Sequence, residues 1–251
     1  MKGTSFQKPL EFKIAVEGET WHQGDKIEGV LTVKNHDSAP QEIKGARVSL
    51  ALGDLDGVRK KEAGSFEVIT TSPEVPPFRL ESQAETPLSW KFDLDLNCPI
   101  SAKSNSLFLL YGSDDNPEKL GNLQLAVSPH QLILDYVSLL TIEFQFVHKL
   151  QKSNKGWVEI KFAPPAARSF AVVENLVASF RREGENLVIK HAFATKKIDA
   201  AAGMNLKKSK QSFEQTFNPN QYLLSNGRLN HEKIGAAFRE VLDQLGLGAL
   251  A

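Results

Sequence analysis

The 251-residue sequence predicts an all-β chain folded as two tandem antiparallel β-sandwiches. Three observations carry that expectation. Apolar residues alternate with period two over most of the chain, turn-rich intervals separate the alternating runs, and helical periodicity is confined to two short stretches. A chain of this length can bury two cores of ordinary domain size.

The strands can be taken in order. "FKIAV" sets Phe12, Ile14 and Val16 on one side of a strand. Ahead of it, the Ser-x-x-Lys pair of "SFQK" (Ser5–Lys8) lies at a terminus expected to fray and lacks the partner motifs of acyl-transfer chemistry. In "WHQGDKIEGVLTVKN", Trp21 reads as a plug at the sandwich end and His22 as its exposed neighbour. Gly24 suits a turn conformation costly for other residues, Asp25 suits local turn hydrogen bonding, and Gly29 marks a bulge or a close backbone approach. "RVSLAL" aligns Val48, Leu50 and Leu52, and "SFEVIT" aligns Phe66 and Val68. "PLSWKFDLDLNCP" turns Leu88, Trp90, Phe92, Leu94 and Leu96 one way, and Ser89, Lys91, Asp93 and Asp95 the other. The intervals "HDSAP", "GDLDG", "TSPEVPP", "SAKSNS" and "GSDDNPEK" read as turns. Short strands joined this way, without helical crossovers, are the mark of an immunoglobulin-like sandwich.

At Ser128 the period changes. "SPHQLILDYVSLL" offers Ser128 as N-cap, Pro129 at the first helical position and Gln131 three residues after the cap, followed by Leu132, Ile133, Tyr136, Val137 and Leu140 at helical spacing. This reads as a connector between domains. Strand patterns resume in "TIEFQFV", in "WVEIKFAPP" with Val158, Ile160 and Phe162, in "SFAVVENLVASF", and in "NLVIKHAFAT" with Leu187, Ile189, His191 and Phe193. "REGEN" carries hairpin chemistry. "DAAAGMNLKKSKQ" reads as a mobile basic loop and "QSFEQTF" as one more strand. In the tail, Asn230 caps a helix in which Ile234, Ala237, Phe238, Val241, Leu242 and Leu245 share a face, closed by Gly246. The predicted divisions are 1–128, a first sandwich; 129–217, the connector helix and second sandwich; and 218–251, a tail with its amphipathic helix.

Composition narrows the function classes. Formal net charge is zero, which argues against a general nucleic-acid binder. Residues 1–130 hold 14 Lys+Arg against 19 Asp+Glu, and residues 131–251 hold 16 against 11, so the halves carry opposite signs. No apolar run reaches the length of a membrane span, and no secretory-type apolar core follows the start, so the chain is read as cytoplasmic. The single Cys98 reads as a small hydrophobe at a strand end. Phosphate-cradling and nucleophile-elbow motifs are absent, and the six histidines show no metal-ligand spacing. His191, in phase with an apolar strand face, reads as a hydrogen-bonded core residue. The acidic turns "GDLDG" and "GSDDN" lack the spacing of a defined calcium loop, and "RKK" (59–61) and "LKKSK" (206–210) read as solvated loops. No catalytic residue, cofactor or metal is expected. The tail-helix face of Ile234, Phe238, Val241, Leu242 and Leu245 is the candidate surface for a protein partner, with docking on its own sandwich the alternative.

With two sandwiches in prospect, "FKIAVEG", "WHQGDKIEGVLTVKN" and "EIKGARVSLAL" resemble the start of arrestin-like proteins, with Trp21, Gly24, Asp25, Ile27, Gly29 and Val33 in matching places. "WVEIKFAPP" and "VENLVASFRREGENLVIKHAFATKKID" are similar to the second domain of bacterial sporulation-control proteins, an arrestin-like family. Gln23 stands where the turn commonly has proline, and Thr195 where an acidic residue often stands. The resemblance implies a non-enzymatic scaffold, adaptor or regulator that binds proteins through sandwich edges and loops. Two other classes compete: a peripheral membrane or trafficking adaptor drawn to anionic lipid by the basic second half and the tail, and a small-ligand module or hydrolase whose loops assemble a site from Asp, His and Trp.

Overall fold

The computed structural model describes residues 1–73, 75–199 and 205–247. Contacts divide the chain into two compact units, Met1–Ser128 and Pro129–Ala251. The first contains β1 (Lys2–Gln7), β2 (Leu10–Val16), β3 (Thr20–His22), β4 (Lys26–Asn35), β5 (Gln41–Ile43), β6 (Arg47–Asp54), α1 (Leu55–Lys60), β7 (Phe66–Thr71), β8 (Phe78–Leu80), β9 (Glu85–Asp93), β10 (Asn105–Gly112), β11 (Gly121–Gln124) and β12 (Ala126–Ser128). The second contains α2 (Gln131–Ile142), β13 (Val147–Asn154), β14 (Trp157–Ala163), β15 (Val173–Glu183), β16 (Asn186–Asp199), β17 (Asn205–Phe217), α3 (Pro219–Tyr222) and α4 (His231–Gln244).

The first unit is a sandwich of two four-stranded sheets, β1-β2-β4-β9 and β11-β10-β6-β7. Phe12, Ile14, Ile27, Leu31 and Val33 of one sheet meet Val48, Leu50, Leu107, Leu109 and Tyr111 of the other in a single core. A smaller core lies on the far side of the second sheet, where Ala51, Phe108, Leu110 and Leu120 take Leu55 and Val58 of α1. This explains a departure from strict alternation. "RVSLAL" is buried on both faces because α1 covers the second one. It also corrects the reading of "GDLDG" as a turn, since Asp54 accepts a hydrogen bond from the Gly57 amide (3.1 Å) and starts a helix. Two further expectations change. Ser5 lies in β1, paired with Phe12, so the terminus is not frayed there. Val68 shares a side with Phe66, opposite Ala51 on the far face of the second sheet, but is exposed there.

The second unit departs from the expected second sandwich. Its described strands form one five-stranded antiparallel sheet, β13-β14-β15-β16-β17. The buried face of that sheet, with Ile160, Phe162, Leu176, Phe180, Ile189 and Phe193, is closed by helices in place of a second sheet. The predicted connector helix is part of this core. Leu132, Ile133, Tyr136, Leu139 and Leu140 of α2 are buried, and Tyr136 packs edge-on to Phe180 at 5.1 Å. Its start also moves: Ser128 belongs to β12, paired in parallel with β3, and His130 caps the helix through Nδ1, which accepts from Leu132 N at 3.2 Å. "TIEFQFV" ends that helix and turns into β13, with Phe144 and Phe146 directed into the core.

The tail helix α4 seats its apolar face on the same core, with Phe238 against Phe144 (4.8 Å), Phe146 (5.9 Å) and His191 (5.2 Å). Asn230 caps it through Lys233 N, as expected, and it ends in a Schellman turn: Gly246 (φ +74°) donates to Asp243 O and Leu247 to Leu242 O. Of the predicted mobile loop, residues 200–204 lie outside the described residues, and Asn205 to Gln211 continue β17 as strand. No helix among the described residues is long and apolar enough to cross a membrane.

Candidate functional site

The segment from Trp21 to Asn35 builds one wall of the candidate site. The His22–Asp25 turn closes through Asp25 N to His22 O (3.0 Å) and His22 N to Asp25 Oδ2 (2.7 Å), with Gly24 at φ +89°. Trp21 is buried beneath it, and Gln23, in the place of the usual proline, donates from Nε2 to the Cys98 carbonyl at 2.6 Å. Gly29 is a close approach and not a bulge: its register with Ala15–Val16 and Trp90 is regular, and a Cβ there would collide with the Ala15 carbonyl and the Trp90 ring. The missing side chain is what lets the Trp90 indole lie across β4.

The two sides of this sandwich differ. On the β1/β11 side, Tyr111 is wedged against Gly3 and Gly121, and Gln7 Oε1 accepts from Ser113 N (2.9 Å) and Oγ (3.0 Å). On the other side, β9 and β7 are the terminal strands of their sheets. Leu94 N bonds to Asp25 O and Asn35 N to Ala84 O, which fixes the phase of the β4–β9 ladder. In that phase the even residues of β9 bond inward to β4, and Ser89, Lys91 and Asp93 aim their backbone groups at the open edge. Pro87 occupies the same outward phase, where its missing donor breaks no ladder bond.

Two concavities adjoin along this edge and share Pro73, Ser89 and Trp90. One, about 260 Å³, is lined by Leu31, Val48, Val75, Pro76 and Leu88 between the sheets. The other, about 630 Å³, is lined by Glu17, Glu28, Val30, Lys91 and Asp93. Trp90 is 6% exposed between them, and its Nε1 is buried without a hydrogen-bond partner. Such a donor is ready for an incoming acceptor. Lys26 bonds to Glu28 at 2.5 Å and holds that carboxyl below its usual range.

Elsewhere, several groups that could carry chemistry are in structural service. His191 is fully buried, bonded through Nε2 to Tyr136 Oη at 2.5 Å, and burial pushes its pKa down to about 3. Burial likewise raises the Tyr136 hydroxyl well above the usual range. Cys98 is buried, and desolvation lifts its thiol to about 12. In "GSDDN", Asp114 and Asp115 pair with Lys119 and Arg47. No group of three His, Cys, Asp or Glu among the described residues is placed to hold a metal.

The tail-helix surface is not presented to solvent. Ile234, Phe238, Val241 and Leu242 are buried within the second unit and Leu245 is half-buried, because the exposed sheet face needs a cover and α4 supplies it. Trp21, Gly24, Asp25 and Gly29 act as turn and packing residues. The groove at Trp90 was signalled in the sequence only by Pro87 inside an alternating strand and by the prolines of "TSPEVPP".

No family model matches the chain, and no curated protein matches it. Among solved structures it is similar to the crystal structure of Spo0M, a sporulation control protein from Bacillus subtilis. The identity is 15% and the TM-score 0.64, over 94% of this chain and 98% of that one. The likeness shows the fold, which is arrestin-like and mostly β. A DNA glycosylase, AlkC, from Pseudomonas fluorescens (18% identity, TM-score 0.28, 45% of this chain and 29% of that) carries no argument. Nor does a β-glucosidase from Erythrobacter marinus (12%, 0.32, 50% and 16%).

Proposed function

We propose that this arrestin-like chain is a cytoplasmic, non-enzymatic adaptor or regulator whose first unit receives an extended segment of a partner protein along the open edge of β9. The observation that carries this reading is the combination of outward backbone groups at Ser89, Lys91 and Asp93 with a concave, partly apolar surface at Trp90. Strand addition at a sheet edge gains affinity from main-chain hydrogen bonds and specificity from pockets for alternate side chains. The likeness to a sporulation control protein supports a regulatory role over a catalytic one. The membrane reading loses one of its two supports, since the apolar face of the tail is used in its own core.

The test is selection of random extended peptides against the full chain, with a Ser89→Pro/Lys91→Pro variant as the counter-target. Both substitutions remove edge donors and leave the β4 ladder intact. Selected peptides are expected to bind the parent at least about tenfold more tightly than the variant and to protect the Ser89 and Lys91 amides from exchange. Peptides that bind both proteins equally, with no protection in β9, would remove the reading.

A further inference from the structure

We propose that the segment received by β9 is basic: an extended peptide with one apolar side chain turned into the cavity beside Trp90, an acceptor at Trp90 Nε1, and lysine or arginine on the alternate positions facing the acidic trough. This rests on the edge-binding reading above and names the chemistry of its partner.

Three independent features converge on it. The first is the alternation of a strand. Side chains of an added strand continue two rows of β9, one with Leu88, Trp90 and Phe92 and one with Ser89, Lys91 and Asp93. The first row borders the cavity walled by Leu31, Val48, Val75 and Pro76, which takes an apolar side chain. The second borders the trough with Glu17, Glu28 and Asp93; Lys91 is the one cation among its described lining residues, Lys26 from beside the trough pairs with Glu28, and no ion pair among the described residues holds Glu17 or Asp93.

The second feature is Trp90 itself. An indole N–H only donates, so whatever meets it must accept; a carbonyl of the added backbone or of a side-chain amide fits. The third is charge. Residues 1–130 hold 14 basic against 19 acidic residues, so the field of this part of the chain as well as the local trough favours a cation. An acidic peptide would set its carboxylates against Glu17 and Asp93. Pro87 also limits the register: a ligand carbonyl opposite it finds no donor, so the bonded stretch centres on Ser89 to Asp93.

The experiment uses the full, isotope-labelled chain and three peptides with the same apolar positions, whose alternate positions are all lysine, all glutamine or all glutamate. Trp90→Phe assigns the Trp90 indole resonance. The lysine peptide is expected to bind at least about tenfold more tightly than the glutamate peptide at low salt, with the gap closing in high salt. The Trp90 Nε1–H resonance should move on binding, and Glu17→Gln with Asp93→Asn, both at exposed positions, should erase most of the preference. Equal binding of all three peptides with shifts at Ser89 and Lys91, or tighter binding of the glutamate peptide, overturns the basic preference and leaves edge binding standing. Edge shifts with an unmoved indole overturn the role of Trp90. No response in β9 to any peptide overturns both readings.

Discussion

The two units solve one problem differently. In the first, a sheet buries its apolar face against a second sheet, and the sandwich is shut along β1 and β11 but open along β9. In the second, a single sheet buries its apolar face beneath α2 and α4. Closure by sheet leaves terminal strands with unpaired backbone groups; closure by helix puts amphipathic elements under the demand of the core. The lesson is that an amphipathic tail is weak grounds for a partner surface when the preceding sheet has a bare face, and that a terminal strand beside a groove is better grounds.

The largest effect that would sharpen the contrast is at Phe238, which is fully buried among Phe144, Phe146, Phe193 and His191. Phe238→Ala is expected to destabilise the second unit by about 3–5 kcal/mol in urea unfolding. A loss below about 1 kcal/mol would mean that the helix is dispensable to that core.

Acid should separate the units next. His191 has a folded pKa of about 3 against an ordinary 6.5, because burial opposes its charge. Its contribution is therefore complete above pH 6.5 and is lost as pH falls from 6.5 toward 3, at up to about 1.4 kcal/mol per pH unit. His191 lies in the core of the second unit, against Tyr136 and Phe238, so this slope reports on that unit. Stability measured between pH 7 and 5 should fall in the parent and flatten in His191→Phe; equal slopes would show that His191 does not set it.

Glycines give the two smaller tests, of opposite sign. Gly29→Ala drives a methyl into the Ala15 carbonyl and the Trp90 ring and is expected to destabilise the first unit by about 1–3 kcal/mol. Gly235 lies inside α4, where a Cβ would meet nothing nearer than Leu139 Cδ1 at 3.7 Å. Gly235→Ala should therefore stabilise the second unit by about 0.5–1 kcal/mol through helix propensity. Thermal melts of the two variants moving in the same direction would contradict this account.

Much of the first unit was legible in the sequence, because a strand buried on one face writes itself as alternation: the phase of β2 and β9 follows from Phe12 and Trp90 and their neighbours. What alternation cannot say is what covers the buried face. Val158, Ile160 and Phe162 would alternate identically beneath a sheet or a helix, and for this reason α2 read as a connector and the second unit as a sandwich. The helix start was misplaced for a local reason: Ser-Pro-His offers two capping side chains, and pairing of Ser128 with His22 leaves the role to His130. The groove at Trp90 depends on Gly29 across the ladder and on Pro73 from the opposite layer, a juxtaposition of distant segments that no short-range pattern contains.

Cys98 has a practical consequence. It is the chain's single thiol, sealed from solvent and held almost wholly protonated by its environment, so alkylating reagents should find it silent in the native protein. A cysteine introduced at an exposed edge position such as Ser89 would then be the sole site of labelling. A fluorophore or spin label could be carried on β9 with no background to remove, and occupancy of the edge could be followed directly in solution.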